Sequence, residues 1–139
     1  MAFHPYLFFG GNCRQAFERY HEIFGGEPFV MTMAGAPPGD HPVPPGKEHL
    51  VIHAALKADD FLLMGSDDLM AESFGPVQGM MVSYSTPDAG EAKRVFEALA
   101  EGGNVTQPLM ETFFSPAFGL CTDHFGTPWM VSAEGRQPG

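Results

Sequence analysis

The sequence predicts an α+β fold in which one unit, βαβββ, occurs twice. Three observations carry this. Two segments with helical apolar spacing, each stopped by a glycine pair (Gly25-Gly26 and Gly102-Gly103), follow short apolar strands. An offset of 76 residues lays Tyr6 on Val82, Phe8 on Tyr84, Ala16 on Ala92, Tyr20 on Phe96, Ile23 on Leu99 and Gly26 on Gly102. Further on, an offset of 66 lays Met64 and Ser66 on Met130 and Ser132. The difference of ten residues is nearly the length of a proline-rich stretch between the two regions, which reads as an insertion into one copy of a duplicated unit.

The elements follow in order. Residues 5–9, Pro-Tyr-Leu-Phe-Phe, form an aromatic run ended by Gly10-Gly11 and read as a buried strand. Asn12 stands as an N-cap, with Gln15 placed to reach back in a capping box. Cys13, Ala16, Phe17, Tyr20 and Ile23 then mark the inner face of a helix. Residues 28–33 make a second strand. Residues 34–46 hold five prolines and three glycines, so this stretch neither pairs continuously in a sheet nor forms a helix. It is a loop, with a lid, a dimer arm and plain disorder as its readings. From His49 to Lys57 the residues alternate, Leu50, Ile52, Ala54 and Leu56 on one face and His49, Val51, His53 and Ala55 on the other. Phe61–Ser66 is the next strand. The second copy runs through a strand at Gly79–Ser85, a helix with Thr86 as N-cap and Pro87 as first residue, and strands at about 105–114, 117–122 and 128–133. Its helix turns Ala92, Val95, Phe96 and Leu99 inward, and the tail from Glu134 is expected to fray. The whole is expected as one domain over 1–139, with pseudo-repeats at about 4–67 and 78–133.

Composition narrows the function classes. The 139 residues carry seven Lys and Arg against 17 Asp and Glu, a net charge of −10, which disfavours nucleic acid and anionic membrane surfaces as partners. No apolar stretch approaches the roughly 20 residues that span a bilayer, and the start Met-Ala-Phe-His-Pro lacks a signal-peptide pattern. Cys13 and Cys121 fall in a helix and a strand; two reduced thiols and one long-range bridge are the alternatives, and the first points to the cytoplasm.

Taken together, Pro5-Tyr-Leu-Phe-Phe-Gly-Gly-Asn-Cys13 with its helix to Tyr20, Ile52-His-Ala54, Met64-Gly-Ser-Asp67, Glu111-Thr-Phe-Phe114 and Asp123-His-Phe-Gly-Thr-Pro-Trp-Met130 resemble the vicinal oxygen chelate superfamily. That group includes glyoxalase I, extradiol dioxygenases, fosfomycin-resistance transferases and bleomycin-binding proteins, and this chain is similar to its PhnB-like branch. The resemblance implies a glyoxalase/bleomycin resistance-like fold: two modules whose strands curl into a mixed-sheet cup, commonly completed in a homodimer. In metal-using members each module supplies one ligand from its first strand and one from its last. Here those positions align with Pro5 or Tyr6, Met64, Gly79 or Met80, and Met130, and their neighbours Leu63, Met81 and Trp129 would not chelate either. Methionine sulfur is a soft, weak ligand, so no metal is expected at the usual site and no cofactor is assigned.

The remaining candidate ligands are His4, His49, His53, Glu111 and His124. On one strand His49 and His53 stand about 13 Å apart and cannot share an ion. His53 with Glu111 is the pair from which a displaced metal site would be built. His53 reads as a pocket-wall residue or a catalytic base; Glu111, among Leu109, Met110, Phe113 and Phe114, as a structural carboxylate or, if buried, a proton shuttle. Trp129 with Met64, Met80 and Met130 reads as core filling or as the lining of a cavity for an apolar or planar ligand. The turn Gly10-Gly11-Asn12 lacks the G-x-G-x-x-G spacing of a dinucleotide loop. Relatives of this branch sometimes bear a demethylubiquinone methyltransferase label, but no glycine loop of the kind that holds S-adenosylmethionine is present, and methyl transfer is not expected. The leading expectation is a cytoplasmic homodimer that binds an unknown small, partly apolar molecule through His53, Met64, Met80, Glu111, Trp129 and Met130. A metal-dependent lyase, isomerase or dioxygenase with a displaced site, and a dimeric scaffold with no small ligand, compete with it.

Overall fold

A computed structural model describes residues 2–35, 46–68 and 77–134. The chain divides into two compact units, Met1–Phe74 and Gly75–Gly139. The first contains β1 (Tyr6–Phe9), α1 (Cys13–Phe24), β2 (Glu27–Thr32), β3 (Val51–Lys57) and β4 (Leu62–Asp67). The second contains β5 (Val82–Thr86), α2 (Ala89–Ala100), β6 (Asn104–Met110), β7 (Phe118–Thr122) and β8 (Pro128–Ala133). The sheets have orders β1-β4-β3-β2 and β5-β8-β7-β6, with β1 parallel to β4, β5 parallel to β8, and the other neighbours antiparallel. The class is α+β, and the order βαβββ occurs twice.

In each unit one helix covers one face of its sheet. On α1 the buried residues are Cys13, Ala16, Phe17, Tyr20 and Ile23; on α2 they are Ala92, Val95, Phe96 and Leu99. Phe17 meets Phe9 and Tyr20 edge-on, with ring centroids 6.2 and 5.7 Å away, and burial of a side chain of this size is worth about 1.5–3 kcal/mol. The strand beneath must be bare for this ring to settle. Gly65 supplies that: a Cβ there would stand 2.7 Å from the Leu7 carbonyl oxygen and 2.9 Å from Phe17 Cε1. In the second unit Gly119 does the same beneath Phe96, whose Cε2 would lie 2.8 Å from an added Cβ.

The structure revises several sequence-level boundaries. An offset of 76 relates Cys13–Phe24 to Ala89–Ala100, but not the strands that precede them. Tyr6 pairs with Met64, whereas Met130 pairs with Ser83, so β1 maps onto β5 at 77. The amide of Asp68 donates to Phe9 and that of Glu134 to Thr86, in the same relation. A shorter strand-to-helix connection in the second unit absorbs the residue. Helix α2 is capped by Asp88, which accepts from the Gly90 amide at 2.9 Å, while Thr86 ends β5. β5 starts at Val82 because Gly79 adopts φ +82°, and β6 ends at Met110, before a turn in which the Thr112 amide donates to the Ser115 carbonyl. In β3 a register shift opposite Met31/Thr32 brings Val51 into the core with Ala54 and Leu56 and leaves Ile52 half-buried. Of the proline-rich stretch, residues 36–45 lie outside the described residues.

Asn12 makes no side-chain cap on α1. Its place is taken from a distance by Asp67, whose Oδ1 accepts from the amides of Gly11 and Cys13, both at 3.0 Å, and whose Oδ2 accepts from Val51 at 2.8 Å. This buried carboxylate ties the β1–α1 turn, the start of β3 and the end of β4 together. The closing hairpin has its own tie: Asp123 Oδ1 accepts from the Phe125 and Thr127 amides, and Oδ2 from the Trp129 indole at 2.8 Å.

Both cysteines are buried free thiols. Burial, reinforced by the Asp67 carboxylate, pushes Cys13 from 9.0 up to about 12; burial, reinforced by Asp123, pushes Cys121 up to about 11. The folded thiols thus keep protons that the unfolded chain releases above its ordinary value.

Three outcomes are expected. Asp67→Asn keeps an acceptor for Gly11 and Cys13 but sets an amide N–H against that of Val51, costing about 1–3 kcal/mol in urea unfolding. Gly65→Val costs about 1–3 kcal/mol through the clash with Phe17 and the β1 backbone. The thiols' contribution is complete below pH 9.0 and is lost as pH rises toward about 11–12. The alkaline fall of the urea midpoint should therefore be shallower in a Cys13→Ala/Cys121→Ala variant.

Candidate functional site

With α1 on one face of the first sheet, strand alternation assigns the other face. Leu7 and Phe9 are buried toward the helix, so Tyr6 and Phe8 point away from it, 38% and 52% exposed. Gly65 lies against Phe17, so its neighbours Met64 and Ser66 point to the face away from the helix, Met64 half-buried and Ser66 buried. Cross-strand pairing then aligns Tyr6, Met64, Ala55 and Phe29 in one row. Phe8 pairs with Ser66 and His53 with Met31 in the next. The His53 ring stacks on Tyr6 at 5.9 Å and tilts against Phe29 at 6.2 Å, and the Tyr6 hydroxyl is 3.5 Å from His53 Nδ1. A half-buried histidine is thus held between two aromatic rings on an otherwise apolar, accessible surface.

The open face of the second sheet differs in chemistry. Ser83 pairs with Met130 and Met130 with Leu120; Ser85 pairs with Ser132 and Ser132 with Phe118. Serines on β5 stand where the first sheet has Tyr6 and Phe8, while Ser132 matches Ser66.

Of the residues singled out from sequence, His53 and Met64 share the open face of the first sheet, and Met130 lies on that of the second. Trp129, expected to line the same wall as Met130, faces the other way: it is buried on the α2 side with its indole N–H on Asp123. Adjacent strand residues point to opposite faces, so one position excludes the other. Met80 is 56% exposed, ahead of β5. Glu111 is exposed just past β6, so the burial on which a shuttle role depended is absent. Phe113 beside it is 81% exposed, and Phe114 packs edge-on against Phe118. His4 and His49 are exposed, and His124 Nδ1 lies 3.1 Å from the Gly102 carbonyl oxygen. Sequence reasoning missed Phe8 and Phe29 as open-face residues and weighed Tyr6 only as a first-strand ligand position. The unbroken apolar run of β1 hid its alternation.

The donor set does not fit the metal that the superfamily resemblance brings to mind. The pairing places Tyr6 beside Met64 and Ser83 beside Met130, while Gly79 and Met80 fall before β5 begins. In the first unit a phenol beside a thioether, and in the second a hydroxyl beside a thioether, are poor ligands for Zn²⁺, Ni²⁺, Mn²⁺ or Fe²⁺. Among the described residues no group of three or more His, Cys, Asp or Glu side chains is placed to hold an ion. No helix among them is long and apolar enough to cross a membrane.

Comparison with known proteins bears on the scaffold. Residues 1–132 match the family described as 3-demethylubiquinone-9 3-methyltransferase. Protein YjdN of Escherichia coli (strain K12) is 29% identical over 150 residues, covering 99% of each chain. The crystal structure of PA1353 from Pseudomonas aeruginosa is 41% identical with a TM-score of 0.84, over 96% of this chain and 98% of that one. The PhnB protein from Bacillus cereus is 25% identical with a TM-score of 0.75, over 96% and 99%. A glyoxylase/bleomycin resistance protein/dioxygenase domain from Frankia sp. EAN1pec shares the fold at 16% identity and a TM-score of 0.65, over 97% and 98%. A match spanning both units, with likeness to the PhnB protein and a fold held in common with glyoxalase-type proteins, places the chain in the PhnB-like family described as 3-demethylubiquinone-9 3-methyltransferase.

Proposed function

We propose that this chain binds a small, partly apolar molecule on the open face of its first sheet, with no metal at the strand positions that metal-using members of the superfamily employ. The observation that carries the reading is the cluster of Tyr6, Phe29 and His53, rings in contact with one another and left accessible. Exposed aromatics grouped around a single polar ring are costly to leave in water and favour an apolar partner. Met64 adds an adaptable apolar contact on the same face, and Met130 offers one on the second sheet. The same reading has the chain as a homodimer, the pairing implied by the resemblance, and as a cytoplasmic protein, in keeping with its two free thiols.

Methyl transfer, which the family description names, finds no support in the strand-to-helix turn of the first unit. The amides of Gly11 and Cys13, the donors such a turn could offer a cofactor, are taken by Asp67. Binding without methyl transfer is therefore the reading adopted.

Ligand-observed NMR against a library of small aromatic and amphipathic compounds, with elemental analysis of protein purified without chelator or nickel, tests this. Binders are expected whose affinity falls about tenfold, or about 1.4 kcal/mol, in Phe29→Ser and in His53→Ala. Binders indifferent to both substitutions, or about one tightly held transition metal per chain, would overturn it.

A further inference from the structure

We infer that the open face of the first sheet carries a slot for one flat, uncharged ring system with a polar substituent, and that Ala55 sets what it admits. The inference rests on the binding function proposed above and names its ligand class. In the row Tyr6, Met64, Ala55, Phe29, three large side chains flank one methyl group. Ala55 therefore forms the bottom of a depression with Phe29 on one neighbouring strand and Met64 on the other. The stems of those two residues are separated by two strand spacings, on the order of 10 Å. Two van der Waals contacts of about 3.5–4 Å fit within that gap, which leaves room for one ring and not for a bulky, saturated body.

His53, two residues along β3 from Ala55, closes one end of the depression. Its ring is steadied by Tyr6 and Phe29, and its Nδ1 is the nitrogen nearest the Tyr6 hydroxyl. The other ring nitrogen is left to meet a hydroxyl or carbonyl on the ligand. At the opposite end Lys57 stands opposite Glu27 in the strand register, so an acidic residue neighbours that lysine. Together with the net charge of −10, this disfavours phosphorylated and other strongly anionic ligands. Aromatic walls, a thioether and one hydrogen-bonding ring are the surroundings in which a planar phenol or heteroaromatic ring is bound better than its saturated counterpart.

The probes are 2-naphthol and decahydro-2-naphthol, equal in skeleton and hydroxyl but different in flatness, titrated by NMR into the wild-type chain, Ala55→Leu and Phe29→Leu. The expected result is binding of 2-naphthol at least tenfold tighter than its saturated counterpart, with chemical-shift changes at His53 and Phe29. A tenfold or greater loss is expected in Ala55→Leu, which fills the depression. Phe29→Leu, which keeps apolar volume but removes one aromatic wall, should lose the preference for the flat probe; it decides the matter if Ala55→Leu fails to melt cooperatively. Equal binding of the two probes would overturn the ring specificity while leaving small-molecule binding intact. Binding of 2-naphthol unchanged in both variants would overturn the slot. No binding of either probe, with other apolar compounds bound in a Phe29-dependent way, would overturn the ligand class alone.

Discussion

A four-stranded sheet has two faces, and among the described residues each unit of this chain has a single helix to cover one of them. Side chains alternate along a strand with a period of two, so this shortage of helix decides the chemistry of nearly every strand residue. Leu7 and Phe9 become core, and Tyr6 and Phe8 are left to solvent. Trp129 is driven under α2 while its neighbour Met130 goes to the other side. Gly65 and Gly119 sit where a helix-borne aromatic ring presses on the sheet, which ties the choice of face to close packing as well as to hydrophobicity. The accessible faces are therefore consequences of the architecture.

On this chain the two faces have parted company. The first is aromatic, with a histidine held between Tyr6 and Phe29. Its counterpart carries Ser83, Ser85 and Ser132 beside Met130. The backbone pairing is shared, so the divergence lies in the side chains. The second face is mixed rather than aromatic, its serines standing in the same rows as Met130, Leu120 and Phe118.

Much of the architecture was legible because helices announce themselves through long periodic segments. The inner faces of α1 and α2 and their glycine stops were all readable from spacing. Short strands gave less. Pro5-Tyr-Leu-Phe-Phe is apolar throughout, so nothing in it distinguishes Leu7 from Phe8; only the helix above does. The strand offset of 77 escaped because a one-residue change in a tight connection leaves the helix alignment untouched. The cap of α1 escaped for a different reason: a local candidate, Asn12, was present, while the group that does the capping lies more than 50 residues away at the end of β4. Glu111 looked enclosed by aromatic neighbours, yet Phe113 turns outward at the end of β6, and adjacency in sequence did not become enclosure.

The three hydrogen bonds that Asp67 accepts have a bearing on how this chain can vary. Val51, the residue at which β3 begins, is held by a carboxylate on the adjacent strand rather than by the length of chain that precedes it. Re-entry into the sheet is thereby set independently of the stretch between Gly35 and Gly46. Lengthening a connection costs little in closure entropy, about 0.6 kcal/mol per doubling, provided its ends stay put. A relative could gain or lose residues there without moving His53 in register. Variation in that segment and invariance of the aromatic face are, in this fold, separable traits.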